Sequence, residues 1–213
     1  MTIGEILKVT EEYFKNKNLK NPRLDAEILL AEVLNTNRLN LYLQQDKPLK
    51  EFEIDKYREF VKLRAIHKPI QYIVGYTEFF GHKMLLNEKV LIPRPDTEIL
   101  VEKSIEIIKE NNLKRVLDIG FGSGCIILSI AEKFPSNQFV GIDISKATFD
   151  VVLISGEKKV HRQFTNKPDG FMQLDIWLCK NEVSKIHACM EATGQYGEKL
   201  ATYLYHGGHA VSV

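Results

Sequence analysis

Residues Asn137–Lys159 read "NQFVGIDISKATFDVVLISGEKK". The segment opens with an apolar run, Phe139–Ile144, interrupted near its end by a single acid, Asp143. A second apolar run, Phe149–Ile154, follows after a polar gap and leads to Gly156, where a hairpin turn needs positive φ. Both runs are too short for helices and rich in β-branched residues, so both predict strands. The role of Asp143 decides the fold. Read with the residues before it, the acid closes a nucleotide-type pocket. Read with the residues after it, the acid opens a metal site.

Upstream lies "LKRVLDIGFGSGCIILSIAEKFPSN", residues 113–137. Val116, Leu117 and Ile119 predict a strand and Cys125–Phe134 a helix, with 139–144 as the next strand. The pattern is a βαβ unit around a glycine-rich turn. Gly120, Gly122 and Gly124 remove side chains where a ligand would pack against backbone. The first amides of the helix favour polar or negative groups. Asp118, at the end of the first strand, can accept from an ammonium or from water. Asp143, at the end of the second, can accept from both hydroxyls of a ribose. Tight helix–sheet packing is the alternative reason for the glycines.

Further upstream, residues 1 to about 67 predict helices. Ile3, Ile6, Leu7, Thr10, Tyr13 and Phe14 follow helical spacing. Asn21 and Pro22 start a second helix whose apolar face is expected at Leu24, Ile28, Ala31 and Leu34. A short helix "RLNLYLQ" precedes Pro48, and "EFEIDKYREFVKLRAIHK" places Ile54, Tyr57, Phe60, Val61 and Leu63 together. Residues 70–92, "IQYIVGYTEFFGHKMLLNEKVLI", are expected to form a β-hairpin punctuated by Gly75 and Gly81. Pro93 and Pro95 hold an extended loop, and Asp96 or Thr97 starts a helix running to about Asn111.

Downstream, Pro168, Asp169 and Gly170 predict a loop, "FMQLDIWLCKN" a helix, and "KIHACMEATG" a strand with its exit. "QYGEKLATYLYHGG" predicts a helix ending at glycines, and "HAVSV" starts another strand in which the chain is expected to be cut short. Trp177 is expected in the core. His187, His206 and His209 lack the acid or thiol spacing of a metal site.

Composition sets wide bounds. The 213 residues suffice for one large or two small domains. A net charge of +1 gives no global attraction to nucleic acid or membrane. No apolar run is long enough to cross a bilayer, and the N-terminus lacks a signal-peptide core. Cys125, Cys179 and Cys189 form no framework, which predicts buried thiols in a reducing cytoplasm.

The segments "PIQYIVGYTEFFG", "VLIPRPDTEILVE", "VLDIGFGSGCIILSIA" and "VGIDIS", in this order, resemble the bacterial release-factor glutamine N5-methyltransferases. The resemblance covers residues 1 to about 145. It implies a helical substrate-recognition domain (1–68), a β-hairpin linker (69–94) and the first part of a Rossmann-like domain (95–145) using S-adenosyl-L-methionine. By that resemblance Gly120, Phe121, Gly122, Ser123 and Gly124 line the cofactor site, with Asp118 nearby and Asp143 on the ribose. Arg94, Pro95 and Asp96 border the pocket on the substrate side. The implied partner is a peptide chain release factor, met at its Gly-Gly-Gln loop by a cytoplasmic monomer. That family holds the glutamine amide with an Asn-Pro-Pro-Tyr segment. This chain has no Pro-Pro pair, so no catalytic residue is identifiable and activity is expected to be impaired. A non-catalytic release-factor-binding module is a further reading.

From Phe139 on, "FVGIDISKATFDVVLI", "FTNKPDGFMQLDIWL" and "CMEATGQYGEKLATYLYHGGHAVSV" resemble the start of IS110-type transposases. That resemblance implies an RNase H-like segment (146–213) and cleavage of DNA with Mg²⁺. Asp143 would be its first metal-binding acid and Glu191 its second. Without the family pattern, Glu191 reads as a helix-capping acid.

The two resemblances meet on one strand, so the chain is expected to be a chimera: α/β, with a helical bundle, a hairpin linker and a truncated or hybrid Rossmann-like sheet. A conflict follows. The first reading places 116–119 beside 139–144, and the second places 149–154 and 186–190 there. A strand has two edges, not three. Each buried backbone group left unpaired costs about 1–3 kcal/mol, against a net stability of about 5–15 kcal/mol.

Overall fold

The computed structural model describes residues 1–183, 187–190 and 196–212. They form two compact units, Met1–Thr77 with Leu85–Lys89, and Glu78–Met84 with Val90–Val213.

The first unit is helical: α1 (Ile3–Asn16), α2 (Pro22–Val33), α3 (Arg38–Leu43), α4 (Glu51–Ala65) and α5 (Ile70–Val74). Thr2 caps α1 in a reciprocal box with Glu5. Its predicted face is buried at Ile3, Ile6, Leu7, Thr10 and Phe14. The predicted face of α2 is corrected. Leu24 is exposed, while Asp25, Ala26, Glu27, Leu29, Leu30 and Ala31 are buried. This helix touches α1, α3, α4 and α5, so a wide band is covered and two acids lie within it. Glu27, 1% exposed, accepts from Arg23, Arg38 and Tyr42, and Asp25 pairs with Arg64 at 2.7 Å. Those partners satisfy the desolvated carboxylates. The unit has its own core, into which α4 buries Tyr57.

A second correction concerns residues 70–74, expected as a strand. They form α5, which Gly75 ends at φ +83°. The hairpin is shorter than predicted: β1 (Tyr76–Phe79) and β2 (His82–Leu85). Phe80 (φ +51°) and Gly81 (φ +78°) make the two-residue turn.

In the second unit, α6 (Thr97–Glu110) precedes β3 (Arg115–Ile119), α7 (Cys125–Lys133) and β4 (Gln138–Ile144). Then come β5 (Thr148–Ser155), β6 (Lys158–Thr165), α8 (Pro168–Lys180), β7 (His187–Met190), α9 (Glu198–His206) and β8 (Ala210–Ser212). Pro168 is the first residue of α8 rather than part of a loop. Gly170 stands there because a Cβ would lie 1.9 Å from the Thr165 carbonyl oxygen.

The six strands lie in the order β6-β5-β4-β3-β7-β8. Parallel pairing joins β3 to β4, β3 to β7 and β7 to β8, while β4–β5 and β5–β6 are antiparallel. The three-claimant conflict resolves by insertion. β4 takes one neighbour from each reading, β3 and β5. The third claimant, expected beside β4, pairs with the far edge of β3 instead. Both edges of β4 are therefore filled.

Period-two alternation splits the sheet faces. Leu117, Ile119, Val140, Ile142, Phe149, Val151 and Leu153 pack under α8 and α9, with Trp177 in that core as expected. On the other face Phe139 packs with residues of α6 and α7. Cys125 is buried, but Cys179 is exposed on α8, against the expectation of buried thiols. Among the described residues, no helix is long and apolar enough to cross a membrane.

Candidate functional site

The glycine-rich turn sits at the carboxyl end of β3, the strand where chain order reverses: its successor β4 lies on one side and β7 on the other. Such a switch point opens a crevice beyond the strand ends. Gly120, Gly122 and Gly124 all have positive φ, at +86°, +47° and +76°. The spaces a Cβ would take at Gly120 and Gly81 are empty, and at Gly122 the nearest atom is the Gly120 oxygen, 3.8 Å away. Gly124 immediately precedes α7 in the left-handed conformation, directing the chain into the helix. The turn leaves backbone open to close approach.

Asp118 lies just before the turn. Its residue surface is partly covered, but Oδ2 is sealed from solvent and has no hydrogen-bond partner. Burial pushes its carboxyl up to about 6, the Ile127 amide in the first turn of α7 acts against that rise, and the Asp143 charge adds to it. A buried, unpartnered carboxylate oxygen is the mark of a group awaiting a donor.

Asp143 is exposed at the end of β4 and stands directly opposite Asp150 on β5. Cross-strand like charges repel, and Asp150 is held by His161 at 2.8 Å and by Gln163. Sequence reasoning missed these three polar residues, because only strand register brings Asp150 opposite Asp143 and sets His161 and Gln163 of β6 against Asp150. Ser123 lies within the turn, part-buried, and Phe121 turns its ring onto Gly141 of β4. Thus 118, 120–124 and 143 gather at one sheet end. Arg94, Pro95 and Asp96 are exposed in the loop before α6.

The metal reading is corrected in one respect. It required acids on adjacent strands, but β3 separates β4 from β7. At about 4.8 Å per strand step, the two backbones are about 10 Å apart. Glu191 itself lies outside the described residues. Among the described residues, no three His, Cys, Asp or Glu side chains gather to hold a metal. His82 faces Glu132 at 2.8 Å. A groove of about 570 Å³ between α8 and α9, lined by Lys167, Phe171 and Tyr203 among others, is separate from the glycine turn.

The family described as the PrmC N-terminal domain matches residues 5–75. Over most of its length the chain is similar to release factor glutamine methyltransferases. The Chlorobaculum tepidum protein of that name is 37% identical over 155 residues, covering 70% of this chain and 53% of the relative. The Rhodopirellula baltica protein is 40% identical over 154 residues, covering 70% and 52%. The Leptospira interrogans protein is 42% identical over 192 residues, covering 87% and 64%, so that its match runs past residue 145. The chain spans about half the length of the first two relatives. An IS110-type family described as transposase matches residues 140–213. The transposase-family match begins within β4, the strand on which the sequence reading has the two resemblances meet, and the Leptospira interrogans match overlaps it.

Proposed function

We propose that the chain carries the methyl-donor half of a protein-glutamine N5-methyltransferase, without the part that clamps the acceptor amide. The observation that carries this reading is the unpartnered, buried Oδ2 of Asp118 at the head of a left-handed glycine turn. These residues fit S-adenosyl-L-methionine. Gly120, Phe121, Gly122, Ser123 and Gly124 offer bare backbone. Asp118 accepts from a cationic amine, and Asp143 accepts from ribose hydroxyls. Arg94, Pro95 and Asp96 border the acceptor side. When bound, the cofactor supplies an electrophilic methyl group.

The acceptor is a glutamine carboxamide of a release factor, as the relatives' names have it, and the family resemblance puts it in a Gly-Gly-Gln loop. Its nitrogen lone pair is delocalised into the carbonyl, so the rate depends on holding it against the methyl. Asn-Pro-Pro-Tyr, which the family resemblance assigns to that task, is missing from residues 1–213. The chain therefore binds donor and turns over little.

Calorimetric titration with S-adenosyl-L-methionine tests the donor site, and mass spectrometry of a release factor incubated with both tests transfer. Binding without methylation is expected. Absence of binding removes the donor site. Brisk glutamine methylation shows that another segment has replaced the clamp.

A second reading rests on the family match over 140–213: a fragment of a Mg²⁺-dependent DNA-cleaving enzyme with Asp143 and Glu191 as ligands. The insertion of β3 between β4 and β7 counts against it. No Mg²⁺-dependent nicking of plasmid DNA is expected, and nicking lost in Asp143→Asn would restore it. If neither chemistry is found, release-factor binding by the helical unit remains, measurable by co-sedimentation.

A further inference from the structure

The glycine turn is tied to β4 as well as to β3, the strand it extends. Gly120 and Phe121 both donate their amides to the Ile142 carbonyl, the second at 3.3 Å, and Gly124 donates to the Phe121 carbonyl at 2.6 Å. The remaining tie is made by a side chain. The Phe121 ring lies on Gly141, the register partner of Asp118. A Cβ at 141 would stand 3.1 Å from Phe121 Cδ1 and 3.3 Å from Cγ. Carbon atoms pack best at about 3.5–4.0 Å, so any larger residue at 141 lifts the ring. Gly141 is in a strand at ordinary φ, where glycine is unfavourable for the backbone. Its use there calls for a packing reason, and the ring supplies one.

We infer that Gly141 is a positioning residue: it seats the Phe121 ring, and the seated ring holds the 120–124 backbone in the shape that accepts a nucleotide-type ligand. The residues act through one another without Gly141 touching the ligand. Lifting the ring moves the Phe121 carbonyl, which anchors Gly124, and the Phe121 amide, which shares the Ile142 carbonyl with Gly120. The ligand class rests on the methyl-donor reading; the seating of the turn does not.

The test compares wild type, Gly141→Ala, Phe121→Ala and the double variant by two readouts. The first is calorimetric affinity for S-adenosylhomocysteine. The second is amide hydrogen exchange, resolved at residues 120–124 and at the β4–β5 pairing. Gly141→Ala is expected to weaken binding about tenfold and to speed exchange in the turn, leaving β4–β5 protected. In the Phe121→Ala background, Gly141→Ala is expected to add nothing to either readout. Unchanged affinity and unchanged turn exchange in Gly141→Ala overturn the inference. So does faster exchange spread evenly over the sheet, which marks a purely structural glycine. If wild type fails to bind but Gly141→Ala still loosens the turn, the positioning role stands and the methyl-donor reading falls.

Discussion

Met190 is the backbone partner of Ile119, and on its other side Ile119 is the partner of Ile142. A strand from the methyltransferase-like part thus stands between two strands of the transposase-like tail. The tail does not build a sheet of its own; its strands β7 and β8 reach β4 only through β3. Removing packing from β3 is therefore expected to weaken both parts together. Leu117, 1% exposed at the centre of the sheet, is the probe. Leu117→Ala is expected to cost about 2–5 kcal/mol. Hydrogen exchange near the denaturation midpoint is expected to show β3 and the β5–β6 hairpin opening in one step. Separate opening would mean that the tail folds independently.

Asp118 gives a pH dependence of defined sign. Its folded carboxyl, raised by burial to about 6, lies above the ordinary value, so folding takes up a proton between about pH 4 and 6. Below that window the group is neutral in both states and carries no penalty. Stability is lost as pH rises through it, and above about 6 the charged form is buried at full cost, roughly 3 kcal/mol. Asp118→Asn is expected to raise the melting temperature at pH 7.5 and leave it nearly unchanged at pH 4. An equal shift at both would deny the buried charge.

Gly170 is expected to tolerate no side chain. With a Cβ 1.9 Å from the Thr165 oxygen, Gly170→Ala forces the start of α8 away from the end of β6. The expected cost is about 3 kcal/mol or more, read from urea denaturation. A change under 1 kcal/mol by that measure would mean that the helix shifts freely.

Glu27 is the keystone of the helical unit. Burial pushes its carboxyl up, but Tyr42, Arg38 and Arg23 outweigh this, and it titrates below its ordinary range. Its contribution is present above the unfolded value and is lost as pH falls through the lower folded one. Since Arg23 and Arg38 reach solvent, Glu27→Gln is expected to cost about 2 kcal/mol, less than for a sealed pair. Thermal melts at pH 7 of the full chain, followed at α2, check this.

Elements whose pattern is local were legible in the sequence. The β3–turn–α7–β4 run was read within a residue or two, because the glycines, the apolar runs and Pro135 punctuate it. The hairpin around Gly156 was legible for the same reason. Residues 70–74 were not: "IQYIV" has strand composition, and a left-handed glycine after it closes a helix that packs against α2 and α4. The face of α2 was misread because apolar spacing locates one stripe, while four neighbours cover more than a stripe. Of the candidate site, Asp118, Gly120, Gly122, Gly124 and Asp143 could be named from spacing, and Phe121 and Ser123 from the family resemblance, but Asp150, His161 and Gly141 could not. They enter through register, which pairs residues far apart in the chain.

By itself, the sequence determined the strands, the turn chemistry and the two family resemblances that meet on Phe139–Ile144. Those features depend on near neighbours along the chain. Tertiary structure alone decided which strands lie beside that segment. Hydrophobic pattern specifies which face of a strand is buried, but not which edge meets which partner. Here both edges of β4 were filled, and β3 still had one edge free to receive β7.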